Sequence, residues 1–307
     1  MPTLPLVSVC IITYNSANTV IQTLDSIKDQ NYRNIELIIS DDSSKDETVS
    51  ICKDWLESNS EWFISTSIIT VDDNTGTSAN ANRAWRAARG EWIKVLAGDD
   101  LLLPDCIECN VKYCEQNTDI DVLLSEVIPF HEDEGHIIKE VSSSYSKMSF
   151  WKNTTSEQFM ELLHHNFLPA PTTFIRRSLL EENPYSEEFP IMEDYPQWIN
   201  LTKKGVHLYF MNRPTVMYRM GDSVTRSKAK IFSPLYRDSY CKFFWNVLNP
   251  EIKKAGLVDA YNYQRKILVM YDINSFIFNN RKNKVVTLMA RVIAGLLKRY
   301  KKIDFNY

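Results

Sequence analysis

Apolar runs and amphipathic stretches alternate through the first 130 positions of the chain. Leu6-Val7-Ser8-Val9-Cys10-Ile11-Ile12 is short and rich in β-branched residues, the character of a buried strand. Helical spacing follows at Val20, Leu24 and Ile27, within residues 16–30. Residues 35–40 repeat the strand pattern and 46–56 the helical one; 63–71 predict a third strand and 74–89 a third helix, with Gly90 placed to close it. Residues 92–96 and 121–124 read as a fourth and a fifth strand. Strands separated by helices predict an α/β fold, a doubly wound and mainly parallel sheet with right-handed crossovers. Beyond 130 the pattern loosens. Residues 131–147 are polar and read as loop or hairpin, 159–165 and 192–203 as helices, and 206–210 and 215–218 as two short strands. From about 229 onward the spacing is helical.

In a parallel sheet the strand C-termini share one edge, and ligands settle in the crevice outside it. The predicted edge carries Thr13-Tyr14-Asn15, Asp41-Asp42, Asp72-Asp73-Asn74 and Asp99-Asp100. Turns favour Asp and Asn, so one such end is ordinary. Four in succession, with an aromatic at Tyr14, describe a pocket for a base, a ribose and phosphates. The Asp99-Asp100 pair, just past a buried strand, carries a high desolvation cost unless a cation or polar ligand meets it. Oxygen donors suit Mg²⁺ or Mn²⁺. The plainer reading has Asp100 capping a helix that starts near Leu103-Pro104-Asp105.

Composition narrows the class. With 44% apolar and 24% charged residues the composition fits a soluble globular protein, and a net charge of -4 gives no overall attraction to nucleic acid. No run reaches the ~18 apolar residues of a membrane span, and Met1-Pro2-Thr3-Leu4-Pro5 lacks a secretory signal's basic start, so a cytoplasmic location is expected. The six cysteines show no disulfide pattern, and Cys106-x-x-Cys109 has no second pair to make a zinc site; packed thiols are expected. No Gly-x-Gly-x-x-Gly follows the first strand and no Gly-Lys-Ser/Thr loop occurs, which disfavours a dinucleotide fold and a P-loop.

Val7-Ser8-Val9-Cys10-Ile11-Ile12-Thr13-Tyr14-Asn15, Glu36-Leu37-Ile38-Ile39-Ser40-Asp41-Asp42-Ser43-Ser44, Asn74-x-Gly76 and Ala97-Gly98-Asp99-Asp100 resemble the family 2 glycosyltransferases of GT-A fold. The resemblance implies a Rossmann-like nucleotide-binding half and a nucleotide-sugar donor, a UDP-sugar before others. It also implies a divalent cation, Mn²⁺ or Mg²⁺, and inverting transfer to a saccharide or lipid-linked oligosaccharide in bacterial surface polysaccharide biosynthesis. By position, Tyr14 would stack on the base, Asp42 would hydrogen-bond it, and Thr13 and Asn15 would line that pocket. Asp99 would meet the donor hydroxyls and Asp100 the metal. Two departures stand out. Ala81 occupies the place where many members carry an arginine, leaving Asn80 or Arg83 to take over, and Ala97 replaces the outer carboxylate of an Asp-x-Asp motif.

Ile191-Met192-Glu193-Asp194-Tyr195-Pro196 is similar to the family's Glu-Asp motif and implies Asp194 as the catalytic base. An Asp at a helix start is also a common cap, and Pro196 suits that reading. The helix end would keep Asp194 ionised. Tyr218-Arg219, before Asp222-Ser223-Val224-Thr225, resembles a downstream motif in which Arg219 would pair with the diphosphate; a surface arginine after an edge strand is the alternative. The histidine that often follows that arginine is missing. Residues 167–173 would line the acceptor side, with Trp198 as a sugar-stacking platform. A nucleotidyltransferase is the enzymatic rival, but Thr13-Tyr14-Asn15-Ser16 is not its glycine- and lysine-rich phosphate loop. A non-catalytic sugar- or nucleotide-binding protein is the other rival, against which Asp99, Asp100 and Asp194 argue.

The expected organisation is a catalytic domain over 1–225, divided into a nucleotide-sugar half (1–128) and an acceptor half (129–225), and a helical region over 226–307. In the latter, Val285, Leu288, Met289, Val292, Ile293, Leu296 and Leu297 form one stripe before Lys298, Arg299, Lys301 and Lys302. It reads either as an interfacial helix on an anionic membrane or as a helix packed on the catalytic domain or a second subunit in a homodimer.

Overall fold

The computed structural model describes residues 4–133, 136–140, 145–220 and 234–278. The chain opens with β1 (Val7–Thr13), α1 (Val20–Lys28), β2 (Ile35–Asp41), α2 (Thr48–Asn59), β3 (Ser65–Thr70), α3 (Thr77–Ala87) and β4 (Trp92–Ala97). A two-residue β5 (Leu101–Leu102), α4 (Cys106–Gln116), β6 (Val122–Asp133) and β7 (His136–Lys139) follow. Then come α5 (Thr155–Leu162), β8 (Phe174–Arg176), α6 (Arg177–Glu182), α7 (Asp194–Lys203) and β9 (Tyr209–Arg219). The last described elements are α8 (Pro234–Phe243), α9 (Asn249–Lys254) and α10 (Val258–Phe278). The sequence stripe at 285–297 and the Asp222–Thr225 motif lie outside the described residues.

The chain divides into two compact units, one of residues 1–159 and 167–220, the other of 160–166 and 221–307. All the candidate site residues belong to the first. Its sheet runs β3-β2-β1-β4-β8-β6-β9-β5, with β7 hairpinned on β6. The long ladders are parallel: β1 with β2 and β4, β2 with β3, and β6 with β9. The expected α/β fold with a mainly parallel sheet is what the chain adopts.

Alternation along the strands explains the layers. Val7, Val9 and Ile11 of β1 and Ile35, Leu37 and Ile39 of β2 face one core with Leu24 and Ile27 of α1, Cys52 and Trp55 of α2, and Ile107 and Val111 of α4. The α3 residues Ala81, Ala84 and Trp85 bury on the opposite face, where small side chains let the helix approach β1 and β2. Cys10, Cys52, Cys106 and Cys114 are buried as compact apolar groups, with their thiols free. In the second unit, Gln264 of α10 donates to the carbonyls of Leu163 and His164. No helix among the described residues is long and apolar enough to cross a membrane.

Two local expectations are corrected, and the plainer alternative for Asp100 falls away. Helix α3 ends at Ala87, so Gly90 does not close it; a Cβ there would lie 2.6 Å from the Ser8 nitrogen, and glycine admits the close approach to β1. The two strands expected at 206–210 and 215–218 are one, β9. Pro214 lacks an N–H and reads as a break, but the β6–β9 ladder absorbs it through register shifts around Glu126. Asp100 caps nothing: α4 begins at Cys106, and Asp100 lies in the turn between β4 and β5.

Candidate functional site

Four strand ends deliver the polar groups expected of them to one edge. After β1, Thr13 is buried and donates its hydroxyl to Asp41 Oδ2 at 2.8 Å. Tyr14 projects outward, 43% exposed. Asn15 takes a left-handed backbone (φ 52°) and its side-chain oxygen accepts the Lys45 N–H.

Asp42, past β2, is the hub of the loop between β3 and α3. Its carboxylate accepts the Thr75 N–H at 3.0 Å, the Thr75 hydroxyl at 2.5 Å and the Gly76 N–H at 2.7 Å. The Arg83 guanidinium adds an ion pair at 2.9 Å. Arg83 also donates to Ser40 and to the Asn80 oxygen, while the Asn80 amide reaches the Thr13 carbonyl. A cation thus reaches Asp42 from Arg83, two residues after Ala81. A base that bonds Asp42 must replace one of these donors.

The Asp99-Asp100 turn is held from β9. The Arg219 N–H donates to Asp100 Oδ1 at 2.9 Å, and its Nε donates to the Asp99 carbonyl at 2.7 Å. The guanidinium extends to Gln22 Oε1 of α1 and Glu132 Oε1 of β6, over the Phe130 ring. Arg219 therefore braces the turn, and its hydrogen bond holds the Glu132 carboxyl below the usual range. Asp100 points inward and is 2% exposed; Asp99 is half-buried. Burial raises both carboxyls, and the charge of Asp99 adds to the rise at Asp100.

Sequence reasoning did not assign Lys94, Gln22 or Glu132. Lys94 is fully buried in β4, its ammonium donates to the Pro171 carbonyl at 2.7 Å, and burial lowers it to about 8. The signal was there: one lysine inside an otherwise apolar strand. Gln22 and Glu132 carry none, since only the fold brings them to Arg219.

On the other side, α7 begins at Asp194, with Glu193 as its N-cap residue. Burial and the neighbouring Asp194 carboxylate push Glu193 up to about 7. A raised carboxyl holds its proton better folded than unfolded, so its contribution is complete at low pH and is lost as pH rises through about 7. The metal-free protein is accordingly expected to melt lower at pH 8 than at pH 5.5, and Glu193→Gln to flatten that slope by about 2–4 °C in a thermal-denaturation series. An unchanged slope would contradict it.

Trp198 is not a sugar platform. It is 1% exposed within the unit's core. Thr172 and Thr173, expected on the acceptor side, are buried and donate to the carbonyls of Pro169 and Ala170. Among the described residues no group of three or more His, Cys, Asp or Glu stands together to hold a metal ion.

Residues 8–183 match the family model for glycosyl transferase family 2, a span that ends before Glu193 and Asp194. An uncharacterized glycosyltransferase of Methanocaldococcus jannaschii is 30% identical over 70% of this chain and 71% of its own. The Escherichia coli UDP-Glc:alpha-D-GlcNAc-diphosphoundecaprenol beta-1,3-glucosyltransferase WfaP is 26% identical over 73% of this chain and 82% of its own. In fold, the chain is similar to S. aureus TarS 1–349, solved in complex with UDP, with a TM-score of 0.58 and 18% identity over 88% of this chain and 72% of that one. The sheet is that of the GT-A proteins, and the chain belongs to glycosyl transferase family 2.

Proposed function

We propose that this glycosyltransferase moves a sugar, with inversion, from a UDP-sugar to a hydroxyl of a saccharide carried on a lipid diphosphate. The Asp99-Asp100 turn, braced by Arg219, carries the reading: its two carboxyls, raised by burial, lie just past the end of β4, and β1 beside it ends at the exposed ring of Tyr14. The acceptor class is supported by the E. coli relative and by a Campylobacter jejuni relative, 26% identical and named as a beta-1,3-glucosyltransferase acting on a GalNAc(5)-diNAcBac-PP-undecaprenol.

In this reading Tyr14 stacks on the uracil, Thr13, Asn15 and Asn80 shape the pocket with Asp42, and Asp99 accepts from donor hydroxyls. Asp194 takes the proton of the attacking hydroxyl as the new bond to the anomeric carbon forms. The bond to the diphosphate breaks, and its electron pair leaves with the diphosphate. A carboxylate suffices as the base when the hydroxyl becomes acidic only as it attacks an oxocarbenium-like carbon.

The donor set fits a hard divalent cation. Asp100 offers carboxylate oxygens in a site where burial and Asp99 disfavour its charge, and a cation would relieve both. With no three-residue cluster among the described residues, diphosphate oxygens and water would complete the shell, as is usual for Mg²⁺. Bound there, Mn²⁺ or Mg²⁺ would neutralise charge on the leaving diphosphate.

Thermal shifts with UDP test the donor side. At about a hundred times Kd, UDP with Mn²⁺ is expected to raise the melting temperature by about 4–8 °C, and UDP in chelator by much less. Equal shifts would remove the cation from the reading, and no shift with UDP would remove the donor.

A further inference from the structure

Segment 185–190, which leads into α7, is fastened to α3 at points far from it in sequence. Asn82 clamps the backbone of Tyr185 from both sides, its amide donating to the carbonyl at 2.9 Å and its oxygen accepting the N–H at 3.0 Å. Ser78 donates its hydroxyl to the Phe189 carbonyl at 2.8 Å and its N–H to the Pro190 carbonyl at 3.1 Å. Gly76, at φ +89°, lies so close that a Cβ would stand 2.4 Å from the Pro190 oxygen and 2.7 Å from its Cβ. Only glycine accepts both that backbone and that approach. Gly76 in turn is fixed by its N–H on Asp42. Three residues, Ile191, Met192 and Glu193, separate Pro190 from Asp194, so a shift at Pro190 reaches the carboxylates through a short length of chain.

We propose that the first turns of α3 are the positioning element of the acceptor-side carboxylates: Gly76, Ser78 and Asn82 set where residues 185–190 lie, and so where Glu193 and Asp194 stand. Asp42 sets Gly76, so the nucleotide end of the site and the proton acceptor share one rigid connection. The catalytic half of this inference rests on the reading that Asp194 takes the acceptor proton; the structural half does not.

The two halves separate in experiment. Amide hydrogen exchange on the full chain, without ligand, reads the fastening alone. Ser78→Ala removes one hydroxyl bond and is expected to speed exchange about fivefold in peptides covering 185–194. Gly76→Ala is expected to speed it more. Wild-type exchange in both variants would overturn the inference. UDP release from UDP-glucose, with a GlcNAc-diphospholipid acceptor, then reads the consequence. Ser78→Ala is expected to lower kcat several-fold with UDP affinity in Mn²⁺ unchanged, and to add no loss to Asp194→Asn. Losses that multiply in the double variant would overturn the positioning role, because the two residues would then act separately. Full transfer by Asp194→Asn would instead refute its role as base, with the exchange result still deciding the fastening.

Discussion

Asp194→Asn is expected to lower the rate of transfer by about 10²–10⁴-fold while UDP binding in Mn²⁺ stays at the wild-type level. Asparagine keeps the size and the polar character of the side chain at the start of α7 but cannot accept a proton. If Asp194 served only the helix end, the variant would lose the charge–dipole contribution of roughly 0.3–1 kcal/mol in stability and little else. Comparing melting temperature, UDP affinity and turnover on the same preparation separates the two. Glu193 is the internal competitor, because a carboxyl pushed up to about 7 is well matched to proton transfer at neutral pH. Glu193→Gln is expected to retain most of the transfer. Loss in Glu193→Gln and retention in Asp194→Asn would move the base one residue back.

Asp100→Asn is expected to do two opposite things. Without metal it should stabilise the chain, because Asp100 is buried, held well above its ordinary range, and set beside a second carboxyl. The sign follows from proton linkage: the folded state favours the protonated form, so the carboxyl's contribution is full at low pH and is lost as pH rises through the folded value. The gain from asparagine should therefore vanish near pH 4 and grow to a few degrees of melting temperature by pH 8. With Mn²⁺ and UDP the variant should lose the ligand-dependent shift and with it turnover. A variant less stable at every pH would show that Asp100 serves the fold, through its bond to the Arg219 N–H, more than it serves a ligand.

Strands β1, β2 and β4 were legible because burial on both faces leaves nearly continuous apolar runs, and because Val20, Leu24 and Ile27 keep a helical period between the first two. The site was legible to the extent that it sits at strand ends, where Asp and Asn past an apolar run announce themselves. What stayed hidden depends on distant pairing. Pro214 reads as a stop until β9 is seen to bulge there against β6, and Arg219 reads as a surface arginine until Gln22, Glu132 and the Asp99 carbonyl are seen to receive it. Trp198 misled because a tryptophan near a proposed base suggests sugar stacking, whereas this one fills the core. Arg83 was one of two named candidates, and only α3's geometry placed it on Asp42.

The bond from the Arg219 N–H to Asp100 spans 119 residues of chain. Loops of that length close slowly, because their entropic cost must be met before the distant contact rewards it. The strands β1, β2 and β3 pair with partners 28 or 29 residues away and β4 joins β1 across 85, so all four can pair before β9 is synthesised. The Asp99-Asp100 turn cannot be set until β9 arrives and pairs with β5. A nascent chain ending before Tyr209 would thus present strands β1 to β4 paired with an unset acidic turn, and the candidate site would be completed last, only when β9 docks.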